Sequence, residues 1–324
     1  MVAIKNVSII IVSWNTRSHL YNCLTSVYKQ ISSVNFEVIV IDNGSSDGSQ
    51  EMVENQYPQV TLIKNATNRG FAAANNQGIA VAQGRYVLLL NSDTVVLHNS
   101  IDRVVSFADT HPDAAVVGCR VLNPDGTLQP TCFMFPSVLN MLLSSTYLYK
   151  IFPGSRFFGR ERMSWWLRDD VREVDVVTGC FMLVRRDAIE QVGRLDEQFF
   201  MYAEEADWCY RFRKAGWKAL FTPSAEIIHL GGASTKQMKP EMVLQLRGSI
   251  LLFLEKHRGH LIHTVGCLLV AIFFLLRVPY WVGLAIVSRR NRDNCILRAD
   301  TYMKGVLKAL TGGKGLCMEN LPDE

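Results

Sequence analysis

Short apolar runs, each cut off by a polar turn, lay out the first part of the chain. Residues 7–12, 36–41, 60–63 and 86–90 read as strands. Between them the pattern predicts a helix from an N-cap at Thr16 to about Lys29 and a second from Ser46 or Asp47 to about Asn55. A loop at 65–70 then leads into an Ala-rich helix over 71–82. The run 86–90 is apolar or aromatic throughout and stops abruptly at Asn91-Ser92-Asp93, which predicts a strand buried on both faces. Strands alternating with helices imply an α/β fold with a parallel sheet and right-handed crossovers. Ligands of such sheets sit just beyond the carboxyl ends of the strands.

Further along, Ser100–Thr110 reads as a helix, 115–122 as a strand and Asn123-Pro124-Asp125-Gly126 as a turn. Strands at 174–177 and 181–184 flank Thr178-Gly179-Cys180, and 187–192 is a short helix. The stretch 136–158 is apolar and aromatic without a clear period, and 160–172 carries Trp165-Trp166. Two readings stand for it, a mobile insertion near an acceptor or a buried aromatic cluster. Strands follow at 218–222 and 226–229.

Three polar groups are candidates for chemistry. Asn91-Ser92-Asp93 is either turn chemistry or, with Asp93 foremost, an oxygen ligand for Mg²⁺ or Mn²⁺ beside a pyrophosphate. Glu204, Glu205 and Asp207 open a helix that runs to about Ala215 and stops at Gly216. They complement the helix dipole, or they stand at the mouth of an apolar pocket as a general base tuned by desolvation. His229 ends a strand before Gly231-Gly232, either as a structural residue or beside a phosphate approached by the glycine backbone.

Composition narrows the classes. A chain of 324 residues makes one large or two modest domains. A net charge of +4, with no basic track in the first half, gives no reason to expect nucleic acid. No two of the eight cysteines form a CxxC pair, so zinc is not expected and reduced thiols are. The first apolar run is too short for a signal-peptide core, so the catalytic part is expected in the cytoplasm. Ser13-Trp14-Asn15-Thr16-Arg17 follows the first strand where a dinucleotide-binding fold would carry G-x-G-x-x-G, and no G-x-x-x-x-G-K-[ST] occurs.

The excess hydrophobicity lies towards the C-terminus. Residues 239–257 read as an amphipathic helix, and 261–287 are apolar except for His263, Thr264, Arg277 and the break at Pro279. About 20 apolar residues cross a bilayer. Lys256 and Arg258 precede the stretch, and Arg289, Arg290 and Arg292 follow it. A single crossing would put one basic cluster outside. A re-entrant or in-plane helical pair keeps both on the cytoplasmic face and is favoured; a helix buried in a homodimer is a third arrangement. The tail after about Thr311 is Gly-rich, then acidic, and expected to be disordered. The chain thus divides into 1–257, catalytic; 258–292, membrane-associated; and 293–324, a tail. Membrane contact implies a lipid-linked glycan acceptor.

Seven stretches occur in order: VSIIIVSWN, VIVIDNGSSDGS, NRGFAAANNQGI, LLLNSDT, TGCFMLVRRDA, FFMYAEEADWCYR and HLGGAST. Over roughly residues 6–257 the chain resembles the family 2 glycosyltransferases, above all bacterial rhamnosyltransferase-like members. The resemblance implies a GT-A nucleotide-diphospho-sugar transferase fold, with a mostly parallel central sheet flanked by helices. It places Ser13 and Asn15 at the nucleotide and Asn68 and Gly70 in a loop beside it. Asp42 would accept the N3–H of uracil or thymine, a donor that cytosine lacks. Asp93 would hold the metal, with the neutral Asn91 at the first position of the D-x-D-like motif and Ser92 where the rhamnosyl-type pattern often has Pro. Glu204-Glu205 stands for the family's Glu-Asp pair. That makes Glu205 the base on a side chain one methylene longer, and Asp207 either a positioner of the acceptor hydroxyl or a partner of Arg211. His229 would lie near metal and diphosphate. The implied reaction is an inverting transfer of L-rhamnose from dTDP-rhamnose. A UDP-linked N-acetylglucosamine, galactose or galactofuranose donor is the alternative within the class, and a non-catalytic membrane scaffold the alternative outside it.

Overall fold

Residues 6–231, 239–287 and 291–317 are described in a computed structural model. The first half alternates as anticipated: β1 (Val7–Ser13), α1 (Arg17–Gln30), β2 (Phe36–Asp42), α2 (Ser49–Gln56), β3 (Thr61–Lys64), α3 (Phe71–Val81) and β4 (Tyr86–Asn91). A three-residue strand, β5 (Thr94–Val96), follows at once, then α4 (Ser100–Thr110) and β6 (Ala114–Leu122). Next come β7 (Cys132–Phe133), α5 (Val138–Ser145), α6 (Leu148–Ile151), β8 (Arg172–Glu173), β9 (Val176–Val177), β10 (Phe181–Arg185), α7 (Arg186–Val192) and α8 (Glu204–Lys214). The two strands expected at 218–222 and 226–229 are one, β11 (Lys218–His229), whose pairing with β6 slips between Thr222 and Glu226. Pro223 lies in that slip and has no N–H to give the ladder.

The sheet runs β3-β2-β1-β4-β10-β6-β11-β5, with β8 on β11. Pairing is parallel from β3 to β4 and at β6–β11; β10, β5 and β8 run antiparallel to their neighbours. Alternate residues face opposite layers. Ile9 and Ile11 join Leu20 and Leu24 of α1, Met52 of α2 and Val104 of α4. Ile10 joins Ala72 of α3, Ile189 of α7 and Phe212 of α8. The expected caps differ in detail. Thr16 turns its hydroxyl inward to Ser13 and Ser92, and Asp47 accepts the N–H groups of Arg17 and Ser49 instead.

The insertion after β7 is not a mobile segment at its base. Arg168 is buried and donates to the carbonyls of Met163, Trp166, Cys132 and Arg162. Trp166, also buried, packs edge-on against Phe221 of β11. A guanidinium fork spread over four carbonyls orders a loop that has no regular ladder of its own. Phe152, Phe157 and Leu167 project outward from it.

Beyond the sheet, α9 (Lys239–Arg258) leads through Gly259 into α10 (His260–Leu275), and α11 (Val278–Val287) follows a turn at Leu276-Arg277. The apolar stretch is therefore a helical pair; by length and apolarity His260–Val287 could cross a membrane. The segment read as a tail begins with α12 (Arg292–Leu310), which packs on both helices of the pair through Cys295, Ala299, Tyr302, Val306 and Ala309. Leu261, Leu276, Tyr280, Ile286 and Val287 are exposed on the pair, and α5 packs beside α10. Gly232 of the glycine pair, Arg289, Arg290 and the acidic end of the tail lie outside the described residues.

Candidate active site

Register fixes the site. Ser13 lies opposite Asp42 and Val12 opposite Asn91, so β1, β2 and β4 end along one edge. A cavity of about 420 Å³ opens there, lined by Asn43, Asn68, Gly70, Asn91, Asp93, His229, Glu204 and Glu205 among others. Of the residues singled out in the sequence, Ser13, Asn15, Asp42 and Asp207 do not line it.

Asp42 sits one residue behind the wall. Its Oδ1 accepts from Ser45 N and Gln50 Nε2, at 2.9 and 2.7 Å, while its buried Oδ2 has no partner. A buried carboxylate oxygen without a donor is costly unless a ligand supplies one. Ser13 is buried, its hydroxyl bonded to Thr16. Asn15, at φ 51°, ties two loops together by accepting from Ser46 N and donating its own N–H to Ser45. Asn43 was not anticipated. Its amide donates to Asn68 Oδ1 and accepts from Arg69 N, so it organises the loop that carries Gly70. Gly70 has φ +80°, and a Cβ there would lie 2.4 Å from the Phe200 carbonyl, so only glycine fits.

Asp93 meets His229 because β5 pairs antiparallel with the end of β11, Thr94 opposite His229. Gln129, also unanticipated, orients the imidazole. Its Nε2 donates to Asn123 Oδ1 at 2.9 Å, so its Oε1 faces His229 Nδ1 at 2.6 Å and takes that proton. The lone pair on His229 Nε2 is left 3.2 Å from Asn91 Nδ2 and 3.1 Å from Asp93 Oδ1. No group of three His, Cys, Asp or Glu fit to hold a metal occurs among the described residues. Asp93 and His229 would be the two residues here to hold a Mn²⁺ or Mg²⁺. Ser92 serves structure, its hydroxyl 2.9 Å from that of Thr16.

Across the cavity, α8 begins with Glu204 and Glu205 after two left-handed residues, Tyr202 (φ 68°) and Ala203 (φ 64°). The two carboxyl groups are neighbours in the first turn, and one buried oxygen of each, Oε2, has no hydrogen-bond partner. Burial, and then the charge of Glu205, push Glu204 well above the usual carboxylate range. Burial raises Glu205 above the usual range too, and its own backbone N–H and that of Gly179 offset this only in part. Both carboxyl groups are thus raised, Glu204 further than Glu205, and the two titrate as one pair. Asp207 faces away from the cavity. It is wholly buried against Arg211, Lys256 and His257, each at 2.7 Å. Burial opposes its ionisation, and these partners, Lys256 foremost, outweigh burial and hold it below the usual range. Asp207 thus holds Arg211 and does not line the cavity.

The family model "Glycosyl transferase family 2" matches residues 8–193. The chain is a family 2 glycosyltransferase. This glycosyltransferase is 29% identical over 265 residues to the N-acetylglucosaminyl-diphospho-decaprenol L-rhamnosyltransferase of Mycobacterium tuberculosis, covering 78% of its own length and 85% of that protein. It is 27% identical over 215 residues to the low-salt glycan biosynthesis hexosyltransferase Agl10 of Haloferax volcanii, covering 65% of its own length and 62% of the relative. In fold it is similar to the mannosyltransferase PcManGT of Pyrobaculum calidifontis, solved with GDP-Man and Mn²⁺. The TM-score is 0.56 at 14% identity, over 95% of this chain and 88% of that one. It is similar also to GalNAc-T7 with UDP, GalNAc and Mn²⁺, at TM-score 0.56 and 16% identity, over 79% of this chain and 48% of the other. The fold of the family 2 enzyme is thus of GT-A type, a mixed sheet flanked by helices.

Proposed function

We propose that this glycosyltransferase carries out an inverting transfer of L-rhamnose from dTDP-rhamnose to a hydroxyl of a lipid-linked glycan at the cytoplasmic face of the membrane. The observation that carries the chemistry is the Glu204–Glu205 pair facing Asp93 and His229 across one cavity. Asp42 Oδ2 accepts the N3–H of the base, and the Asn43-ordered loop with Asn68 and Gly70 lies alongside the nucleotide. Asn15 and Ser13 support that pocket from behind. Glu205 removes the proton from the acceptor hydroxyl, and the oxygen attacks the anomeric carbon opposite the diphosphate, inverting it. Glu204 keeps Glu205 ionised by donating to it. Asp93 and His229 would hold a Mn²⁺ or Mg²⁺, which offsets the charge growing on the leaving diphosphate.

The relative of M. tuberculosis supports the rhamnosyl donor and the lipid-linked acceptor through its name. The exposed apolar face of α10 and α11 supports a membrane as the place of reaction. A UDP-sugar is the second reading, because Asp42 accepts from uracil as readily as from thymine. A thermal-shift panel of nucleotide sugars with Mn²⁺ tests the donor: stabilisation by dTDP-rhamnose alone is expected, and stabilisation by UDP-sugars alone selects the second reading. Turnover should vanish in excess EDTA and return with Mn²⁺; full activity in EDTA removes the metal. Glu205→Gln should lower kcat by roughly 10²–10⁴-fold.

A further inference from the structure

The two glutamates are launched from a strained start. Tyr202 and Ala203 both lie in the left-handed region, and neither is glycine. Such a conformation persists only where the surroundings over-determine it. The segment before it is held at two successive carbonyls. Phe200 O accepts from Phe71 N at 2.7 Å, which ties it to the loop beside the nucleotide. Met201 O accepts from Gln245 Nε2 at 3.0 Å and from Ser249 Oγ at 2.8 Å. Gln245 and Ser249 are wholly buried, one turn apart on α9, and bond each other at 3.0 Å. Farther along α9, Lys256 and His257 grip Asp207. One helix therefore fixes α8 on both sides of Glu204 and Glu205. That helix lies beyond residues 8–193, the part matched by the family model.

We propose that Gln245 and Ser249 are positioning residues for the Glu204–Glu205 pair, acting through the Met201 carbonyl. Neither touches the cavity, so neither is expected to bind donor or acceptor. Their loss frees the Met201 peptide to rotate, Tyr202 and Ala203 relax towards ordinary backbone, and Glu205 leaves the line of the acceptor hydroxyl. The proposal rests on Glu205 as the base.

The test uses the full chain with Gln245→Met, which keeps the shape without a donor, and Ser249→Ala, singly and together. Each variant is measured for kcat, for donor and acceptor KM, for nucleotide affinity and for melting temperature, with Glu205→Gln alongside. A displacement near 1 Å costs on the order of a hundredfold in rate. The double variant is therefore expected to lose about that much kcat, with donor KM and nucleotide affinity within about twofold of the parent. A merely structural role would lower the melting temperature and leave kcat of the folded fraction intact, which overturns the proposal. Should the double variant not fold, Ser249→Ala alone decides, since Gln245 still holds the carbonyl. A several-fold fall in kcat at constant KM supports positioning, and parental kcat overturns it. If Glu205→Gln turns over normally, the base assignment and this proposal fall together. If Glu205→Gln is inactive while the α9 variants match the parent, only the positioning role falls.

Discussion

At the level of single residues, the proposed division of roles between Glu204 and Glu205 separates two carboxyl groups that the sequence shows only as neighbours. Glu204→Gln still donates to Glu205, so kcat should stay within about tenfold of the parent, far from the loss at Glu205. The same substitution has a stability signature. A carboxyl group raised in the folded state stabilises the fold below its ordinary range, near 4.5, and that contribution is lost as pH rises through the folded value. Glu204→Gln removes the loss. Melting curves should therefore show the variant gaining on the parent as pH rises from 5 to 9. The gain is about 1.4 kcal/mol for every tenfold fall in proton concentration over which Glu204 stays protonated in the folded parent and ionised in the unfolded chain. Below about pH 4 the two should converge. Asp42→Asn turns one face of the carboxylate into a donor. Nucleotide affinity should fall roughly 10–100-fold, the cost of about 1–3 kcal/mol for a mispaired buried group, with little change in kcat at saturating donor; calorimetric titration with dTDP and UDP measures it. Asp93 and His229 were legible as strand-end polar residues, with a metal and a phosphate as candidate ligands, and the family resemblance sharpened both roles. Gln129 and Asn43 were not legible at all. An amide that orients another side chain has no spacing or periodicity to betray it.

Among the elements, the long apolar runs were easy to read and the short ones were not. Residues 7–12, 36–41 and 86–90 carry enough alternation or unbroken apolarity to declare a strand. Thr94–Val96 is too short to show a period, yet its pairing with β11 is what brings Asp93 to His229. α12 was missed although Cys295, Ala299, Tyr302, Val306 and Ala309 recur at helical spacing, because polar residues and a glycine-rich end dominate that stretch. Asp207 shows the opposite error. Its place in an acidic cluster drew it into the site, while two of its three partners, Lys256 and His257, come from α9, some fifty positions later in the sequence. As the buried member of a charge cluster that joins α8 to α9, it should be costly to remove. Asp207→Ala is expected to destabilise the protein by about 3–5 kcal/mol, read by urea denaturation. Because its carboxylate is held below the ordinary range, the stabilisation is present above about pH 3.8 and lost as pH falls through the folded value.

For the molecule as a whole, the sheet and the helical pair meet on α9, which ends where the apolar stretch begins. Leu276 and Ile286 are 69% and 78% exposed, too open for core residues on helices of this composition. Lys150 and Arg156 of the insertion and Lys304 of α12 are exposed as well, and the proposed membrane contact would draw on such basic residues at anionic headgroups. Leu276→Glu with Ile286→Glu should reduce co-sedimentation with anionic vesicles by at least tenfold, since each side chain forfeits about 1.5–3 kcal/mol of burial. Turnover of a soluble acceptor analogue should be unaffected. The break was expected at Pro279, and α10 does end at Leu275, the residue whose carbonyl a helical Pro279 would strike; Arg277 then donates to the carbonyls of Phe273 and Ser145, which clasps the pair to α5.

Ala203 keeps a backbone shape that glycine would adopt at no cost. Replacing it with glycine should raise thermal tolerance by about 1 kcal/mol and slow turnover, as the acids it aims gain freedom to wander. A laboratory lineage bred for heat would be drawn to that codon early and repelled by any screen for product. The tension in this one peptide turn would then set how far robustness and speed can be improved together.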